Sequence, residues 1–223
     1  MTLYRDPGFD LTRDFAAVSL VANAPHVLVA HPSLPARDLK QLLALAKANP
    51  GTLSIASQGT GTVSHLEAEI LQDMAGVSFV HVPYKGSAPA LVDLISGRVQ
   101  IMFDSVASAL PQIRAGRLHA IAVATEQRTS MLLDVPTVAE SGLPGYRAES
   151  WLSILVPAKT PQPVIDRLNR ELVALLGDAR VRRTLIERGF EPQSSSPAQL
   201  RERIRADVLA WGRIVRAAGV SVE

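Results

Sequence analysis

The chain has 223 residues, 47% of them hydrophobic and 20% charged, with a formal net charge of +2. That composition belongs to a globular chain able to bury a core without metal or disulfide staples, and it excludes disordered, collagen-like and coiled-coil chains. The small charge and 4% aromatic content exclude a nucleic-acid footprint, and the lack of cysteine excludes thiol catalysis, zinc–thiolate and iron–sulfur sites and disulfides together.

Residues 1–14 are polar and mixed in charge, without the apolar run of an export signal. Residues 15–36 carry no formal charge, but Asn23, Pro25, His26, His31, Pro32 and Pro35 interrupt them. Short strands at 18–22 and 26–31 are therefore expected rather than a membrane span. Leu39, Leu42, Leu43 and Ala46 recur at helical spacing, and Asn49-Pro50-Gly51 stops that helix. A strand at 53–57, a glycine loop at 58–61 and a helix with Val63, Leu66, Ile70 and Met74 on its inner face follow. The pattern then predicts strands at 77–82, 99–103 and 118–124, with helices at 87–95 and 105–115 between them. Such alternation points to βαβ units and a mostly parallel sheet, which binds ligands outside the carboxyl ends of its strands.

Residues 126–147, with Pro136, Gly142, Pro144 and Gly145, read as a long irregular connection, and 151–156 as a strand. Val164, Leu168, Leu172 and Leu175 share a face of one helix, and Val181 and Leu185 mark a second. Leu200, Ile204, Val208, Trp211 and Val215 mark the last, opened by a serine cap and Pro197. The helices of this final third need a sheet to cover, and residues 1–24 supply little of one.

Ser57-Gln58-Gly59-Thr60-Gly61-Thr62-Val63-Ser64-His65 joins a strand end, a glycine loop and a helix start. Free N–H groups at a helix start, with the helix dipole, form an anion site, and Thr60, Thr62 and Ser64 add hydroxyls. A plain turn with a threonine cap has the same composition, so both readings stand. No lysine follows the glycines as in a Walker loop, and Ser64 occupies the third glycine of a dinucleotide fingerprint. Pro83-Tyr84-Lys85-Gly86-Ser87 is a second strand-to-helix corner: Lys85 would steer anions and Tyr84 wall a pocket, or both are ordinary surface residues. Asp104 either accepts from a ligand or caps the next helix. His65 and Glu69 share a helix face, but two ligands are too few for a metal site. A Ser64/His65/Asp104 hydrolase is disfavoured, because no nucleophile elbow is present. No cofactor motif is found.

DFAAVSLVA at 14–22, VAHPS at 29–33, SQGTGTVSHL at 57–66, VPYKGSAPA at 82–90 with Asp93, Leu94 and Gly97, VPTVAESG at 135–142 and VPA at 156–158 carry a resemblance. From Leu3 onward the chain resembles the substrate-binding proteins of tripartite tricarboxylate transporters, the Bug family of extracytoplasmic solute receptors. The resemblance implies an α/β, type II periplasmic-binding-protein-like fold whose two lobes close over a small carboxylate, without catalysis. It puts 25–146 in the second lobe, and 1–24 with 147–223 in a first lobe that lacks its N-terminal strands. Carried over, ligand contacts fall on Ser57, Gln58, Gly59, Thr60, Gly61, Thr62, Ser64, His65, Tyr84, Lys85, Gly86 and Asp104. The implied partners are a mono-, di- or tricarboxylate and the membrane components of the transporter, with no nucleic acid and no direct membrane insertion. The implied place is the periplasm, or the cytoplasm if Met1 is the genuine start. Family members carry an export signal and a proline–glycine loop that this chain does not show, so a misassigned start or a truncation is expected ahead of a genuinely shortened protein, with impaired binding by the chain as written and an exposed apolar face on the final helices. The alternative is a cytosolic sensing or regulatory module of the same fold.

Overall fold

A computed structural model describes residue 3 and residues 7–220. Residues 1–2, 4–6 and 221–223, which the expected first lobe includes, lie outside the described residues. The elements run β1 (Phe15–Asn23), β2 (His26–Ala30), α1 (Leu39–Ala48), β3 (Ser54–Ser57), α2 (Val63–Ala75), β4 (Val80–Pro83), α3 (Ser87–Ile95), β5 (Ile101–Ser105), α4 (Val106–Arg114), β6 (His119–Val123), β7 (Trp151–Pro157), α5 (Gln162–Gly177), α6 (Ala179–Glu187), β8 (Glu191–Pro192) and α7 (Pro197–Ala217). They fall into two compact units, Pro25–Ser150 and Met1–Ala24 with Trp151–Glu223. No helix among the described residues is long and apolar enough to cross a membrane.

The Pro25–Ser150 unit is built on a five-stranded sheet in the order β4-β3-β5-β2-β6. It is mixed, which corrects the expectation of a mostly parallel sheet. β3 runs parallel to β4 and β5, whereas β2 runs antiparallel to both β5 and β6. The cause lies in the connection. Ala30 at the end of β2 and Ile55 near the start of β3 both pair with Ile101, so the chain leaves and re-enters the sheet at one edge. α1 does not carry it across. Alternation of strand and helix records an element's type but not its direction. One result matters for the site: β3, β4 and β5 all end at the same edge, and β2 begins there, with His26 opposite Ser105.

The core of this unit combines Val27, Val29, Met102 and Val123 from the sheet with Ala90, Leu94, Val106 and Ala109 from the helices. α2 lies one step round from the expected face. Its buried residues are Ser64, His65, Leu66, Glu67, Ala68, Leu71 and Ala75, while Met74 is exposed. An apolar-periodicity count misses that stripe because two of its positions are filled by a serine and a glutamate.

In the other unit β1 sits between β7 and β8, antiparallel to both. Leu20 packs against Leu200 and Ile204 of α7. Ser196 caps α7 through a full capping box with Gln199, which satisfies helix donors that would otherwise go unmet. Asn169 of α5 donates to the carbonyls of Val18 and Ser195, at 2.9 and 2.8 Å. In α5, Ile165 and Leu176 are buried, while Val164, Leu168 and Leu175 of the shared apolar face are exposed, as an uncovered face on the final helices requires. Leu152 and Ile154 of β7 are also exposed. These side chains have no covering layer among the described residues.

Candidate functional site

Two loops and the end of β5 meet at the carboxyl edge of β3, β4 and β5. The 58–62 loop leaves β3 and crosses to the 84–86 loop: Tyr84 N–H donates to Ser57 O at 3.1 Å, and Gly86 N–H to Gln58 O at 3.0 Å. That crossing needs glycine at 59. Gly59 has φ +136°, and a Cβ there would sit 3.2 Å from the Tyr84 carbonyl oxygen. Only glycine adopts such a backbone without strain.

Asp104, wholly buried at the end of β5, ties the loops together. One carboxylate oxygen accepts from Gln58 Nε2 at 2.7 Å and from Ser105 N–H at 2.9 Å, and the other accepts from Ser87 Oγ at 2.7 Å. Burial pushes its pKa up, opposed by those donors and by His26. The cap of α4 is Ser105 rather than Asp104.

A second layer lies beneath the loop. Ser57 Oγ is 2.6 Å from His81 Nε2 and accepts Gly59 N–H at 3.2 Å. Gly61 N–H donates to His65 Nδ1 at 3.1 Å. The His65 and His81 rings stack with centroids 3.8 Å apart and planes 6° from parallel. Ser64 Oγ donates to the Phe103 carbonyl, so Ser64, His65 and Asp104 are committed to separate partners and form no triad. Below them, buried His26 Nδ1 meets buried Glu67 Oε2 at 2.8 Å. Tyr146 OH donates to the Glu67 carbonyl at 3.1 Å.

The loop amides divide accordingly. Gly59 and Gly61 N–H are turned inward, and Thr62 N–H and Oγ1 both return to Gly59 O. Thr62 thus occupies the N-cap of α2 without capping it. The N–H groups of Thr60 and Val63, and the Thr60 hydroxyl, have no partner among the described residues. Thr60 and Lys85 are exposed, and Tyr84 is half-buried with its OH given to Asp93 at 2.8 Å. The outward set is therefore Thr60, Val63 and Lys85. Ser57, Gln58, Ser64, His65 and Asp104 form the frame behind it.

Sequence reading missed His26, Glu67 and His81. His81 carries no pattern signal. Glu67 does carry one in retrospect, since it falls on the stripe of Ser64, Leu71 and Ala75. A 490 Å³ groove in the same unit runs along His119, Ala120 and Val135. It lies at the opposite end of β2, where Ala30 pairs with His119, and holds none of the loop residues.

Residues 2–220 match the model of the tripartite tricarboxylate transporter family receptor, TctC. The chain belongs to that family. Its members are receptors, not enzymes. A relative from Pseudomonas sp. strain P51, described as a UPF0065 protein in the tcbD-tcbE intergenic region, is 39% identical over 91% of this chain and 61% of its own length. The chain spans 61–66% of the first curated relatives it matches. Among solved structures, an R. palustris protein with adipate is 35% identical with TM-score 0.90, over 98% of this chain and 73% of the other. MatC from Rhodopseudomonas palustris with bound malate is 28% identical with TM-score 0.83, over 96% and 74%. The α/β fold of the TctC chain is therefore that of the family's periplasmic binding proteins.

Proposed function

We propose that this TctC-family chain captures a small mono-, di- or tricarboxylate in the periplasm and delivers it, chemically unchanged, to the membrane components of a tripartite transporter. The observation that carries the reading is the pair of unpartnered N–H groups at Thr60 and Val63, held at the edge where three strands end. The α2 dipole adds to their attraction for an anion. The Thr60 hydroxyl supplies a third donor, Lys85 a nearby positive charge, and Gly59, Gly61 and Gly86 let the ligand approach the backbone. Ser57, Gln58, Ser64, His65 and Asp104 fix the loop, and Tyr84 walls it. The adipate and malate named for its structural relatives fall in the ligand class proposed.

A charge-assisted hydrogen bond contributes about 1.5–3 kcal/mol. Two such bonds give about 4 kcal/mol, a dissociation constant near ~1 mM. Calorimetry of this chain with adipate, malate and the uncharged diamide of adipate checks the reading. Saturable heat from the carboxylates and none from the diamide is expected. Equal responses to acid and diamide, or none to either at about ten times that concentration, would overturn it.

A further inference from the structure

The stacked imidazoles under the glycine loop have no part in the function proposed above beyond their place in the frame. Their geometry gives them a more specific one. We infer that His65, backed by His81, is the positioning residue of the carboxylate loop, and that acid releases the loop by placing a proton where Gly61 N–H now binds. This inference rests on the receptor reading for its effect on ligand, but not for its effect on the loop.

The bond from Gly61 N–H to His65 Nδ1 requires a lone pair on that nitrogen. The ring is therefore the neutral tautomer with its proton on Nε2, which faces Glu69 Oε1 at 3.4 Å. The neighbouring glycine is held through the other ring: Gly59 N–H reaches Ser57 Oγ, and Ser57 Oγ reaches His81 Nε2. Two positive-φ glycines flanking Thr60, at +136° and +77°, thus each depend on one imidazole of the stack. A proton on His65 Nδ1 opposes two donors, and the Gly61 bond is lost. The stack also admits only one charge readily, because a second cation would lie 3.8 Å from the first.

The groups facing the pair are Glu69 from α2 itself, Ser57 from β3, and the loop amides. Burial lowers the pKa of His65. Burial, then the charge of His65, hold His81 down at about 4, with Glu69 opposing. Both rings are thus neutral at neutral pH, and the loop is set for ligand. In acid, protonation frees the Gly61 amide and unsettles the Thr60 and Val63 donors, and carboxylate capture weakens.

Two measurements test this. The first needs no ligand: the Gly61 amide and His65 ring nitrogens are followed by 15N NMR in the unliganded chain from pH 7.5 to 4. They are expected to titrate together, with a midpoint below the ordinary histidine value. A Gly61 amide that stays still while His65 titrates would overturn the inference. The second compares adipate affinity at pH 7.5 for the wild-type chain, His65→Leu and His65→Asn. Leucine is expected to weaken binding about tenfold, the worth of one positioned hydrogen bond. Asparagine, which offers a carbonyl acceptor without titrating, is expected to recover much of that loss and to abolish the Gly61 titration. Wild-type affinity in His65→Leu would contradict the positioning role. If no chain binds adipate yet Gly61 still titrates with His65, the loop device stands and the receptor reading falls.

Discussion

Glu67→Ala is expected to lower the unfolding free energy by about 3–5 kcal/mol, because it strands a buried partner rather than merely removing a contact. Glu67 is fully buried, and His26 is 6% exposed. Their 2.8 Å contact therefore operates with little solvent screening. Glu67 Oε1 has no hydrogen-bond partner among the described residues, so the pair is imperfectly satisfied. That incompleteness makes a second outcome informative: His26→Leu with Glu67→Leu is expected to cost much less than Glu67→Ala alone, since it removes both charges together. Urea unfolding of the single and double variants measures the difference. A loss under about 1 kcal/mol for Glu67→Ala would mean that the pair is far better hydrated than its burial implies.

The same pair governs stability above neutrality. Burial draws the His26 pKa down, but the Glu67 charge, their hydrogen bond and Asp104 raise it more, so it lies above the ordinary 6.5. Burial likewise raises Glu67, against the pull of His26. The folded pair keeps a proton that the unfolded chain releases above pH 6.5. Stability from His26 is thus complete below that pH and declines as pH rises, by about 1.4 kcal/mol per unit, until the folded pair gives up its proton. In His26→Gln the decline between pH 6.5 and 8 is expected to flatten.

Gly59→Ala is expected to cost about 1–3 kcal/mol of stability and to abolish carboxylate binding. A side chain at φ +136° is strained wherever it points, and here its Cβ would press on the Tyr84 carbonyl at 3.2 Å. That carbonyl belongs to a loop fixed on both sides by backbone bonds, so it has little freedom to move away. Relief would come from turning the loop, which misplaces the Thr60 and Val63 donors. Gly142→Ala, outside the loop, is the control: its φ of +114° brings similar strain, but nothing lies within 4 Å of the added Cβ. A Gly59→Ala chain that binds adipate normally would mean that the loop conformation is not what receives the ligand.

Local chemistry made many elements legible and left others hidden. Ser87–Ile95 is read at its observed bounds, because a glycine and a serine precede its apolar residues and Ser96-Gly97 follows them. Ser196 before α7 and Pro197 at its first position mark its start for the same kind of reason. The inner faces of α2 and α5 are not legible from apolar spacing. α2 turns Ser64, His65 and Glu67 inward to meet Phe103, Gly61 and His26, and α5 leaves Val164, Leu168 and Leu175 uncovered. Strand direction is hidden as well, since the reversal of β2 depends on which sheet edge a connection returns to. At the site, glycine and threonine content marks the loop but not which amides face outward. That division depends on His65 and Ser57 acting as acceptors, a tertiary arrangement that no spacing records.

The measurement closest to the centre of this account is an amide-resolved NMR titration of the chain with adipate at pH 7.5. The N–H signals of Thr60 and Val63 should move most and saturate together, while those along the His119–Val135 groove stay still. Saturating shifts centred on that groove, or an unmoved Thr60 and Val63 at full occupancy, would contradict it.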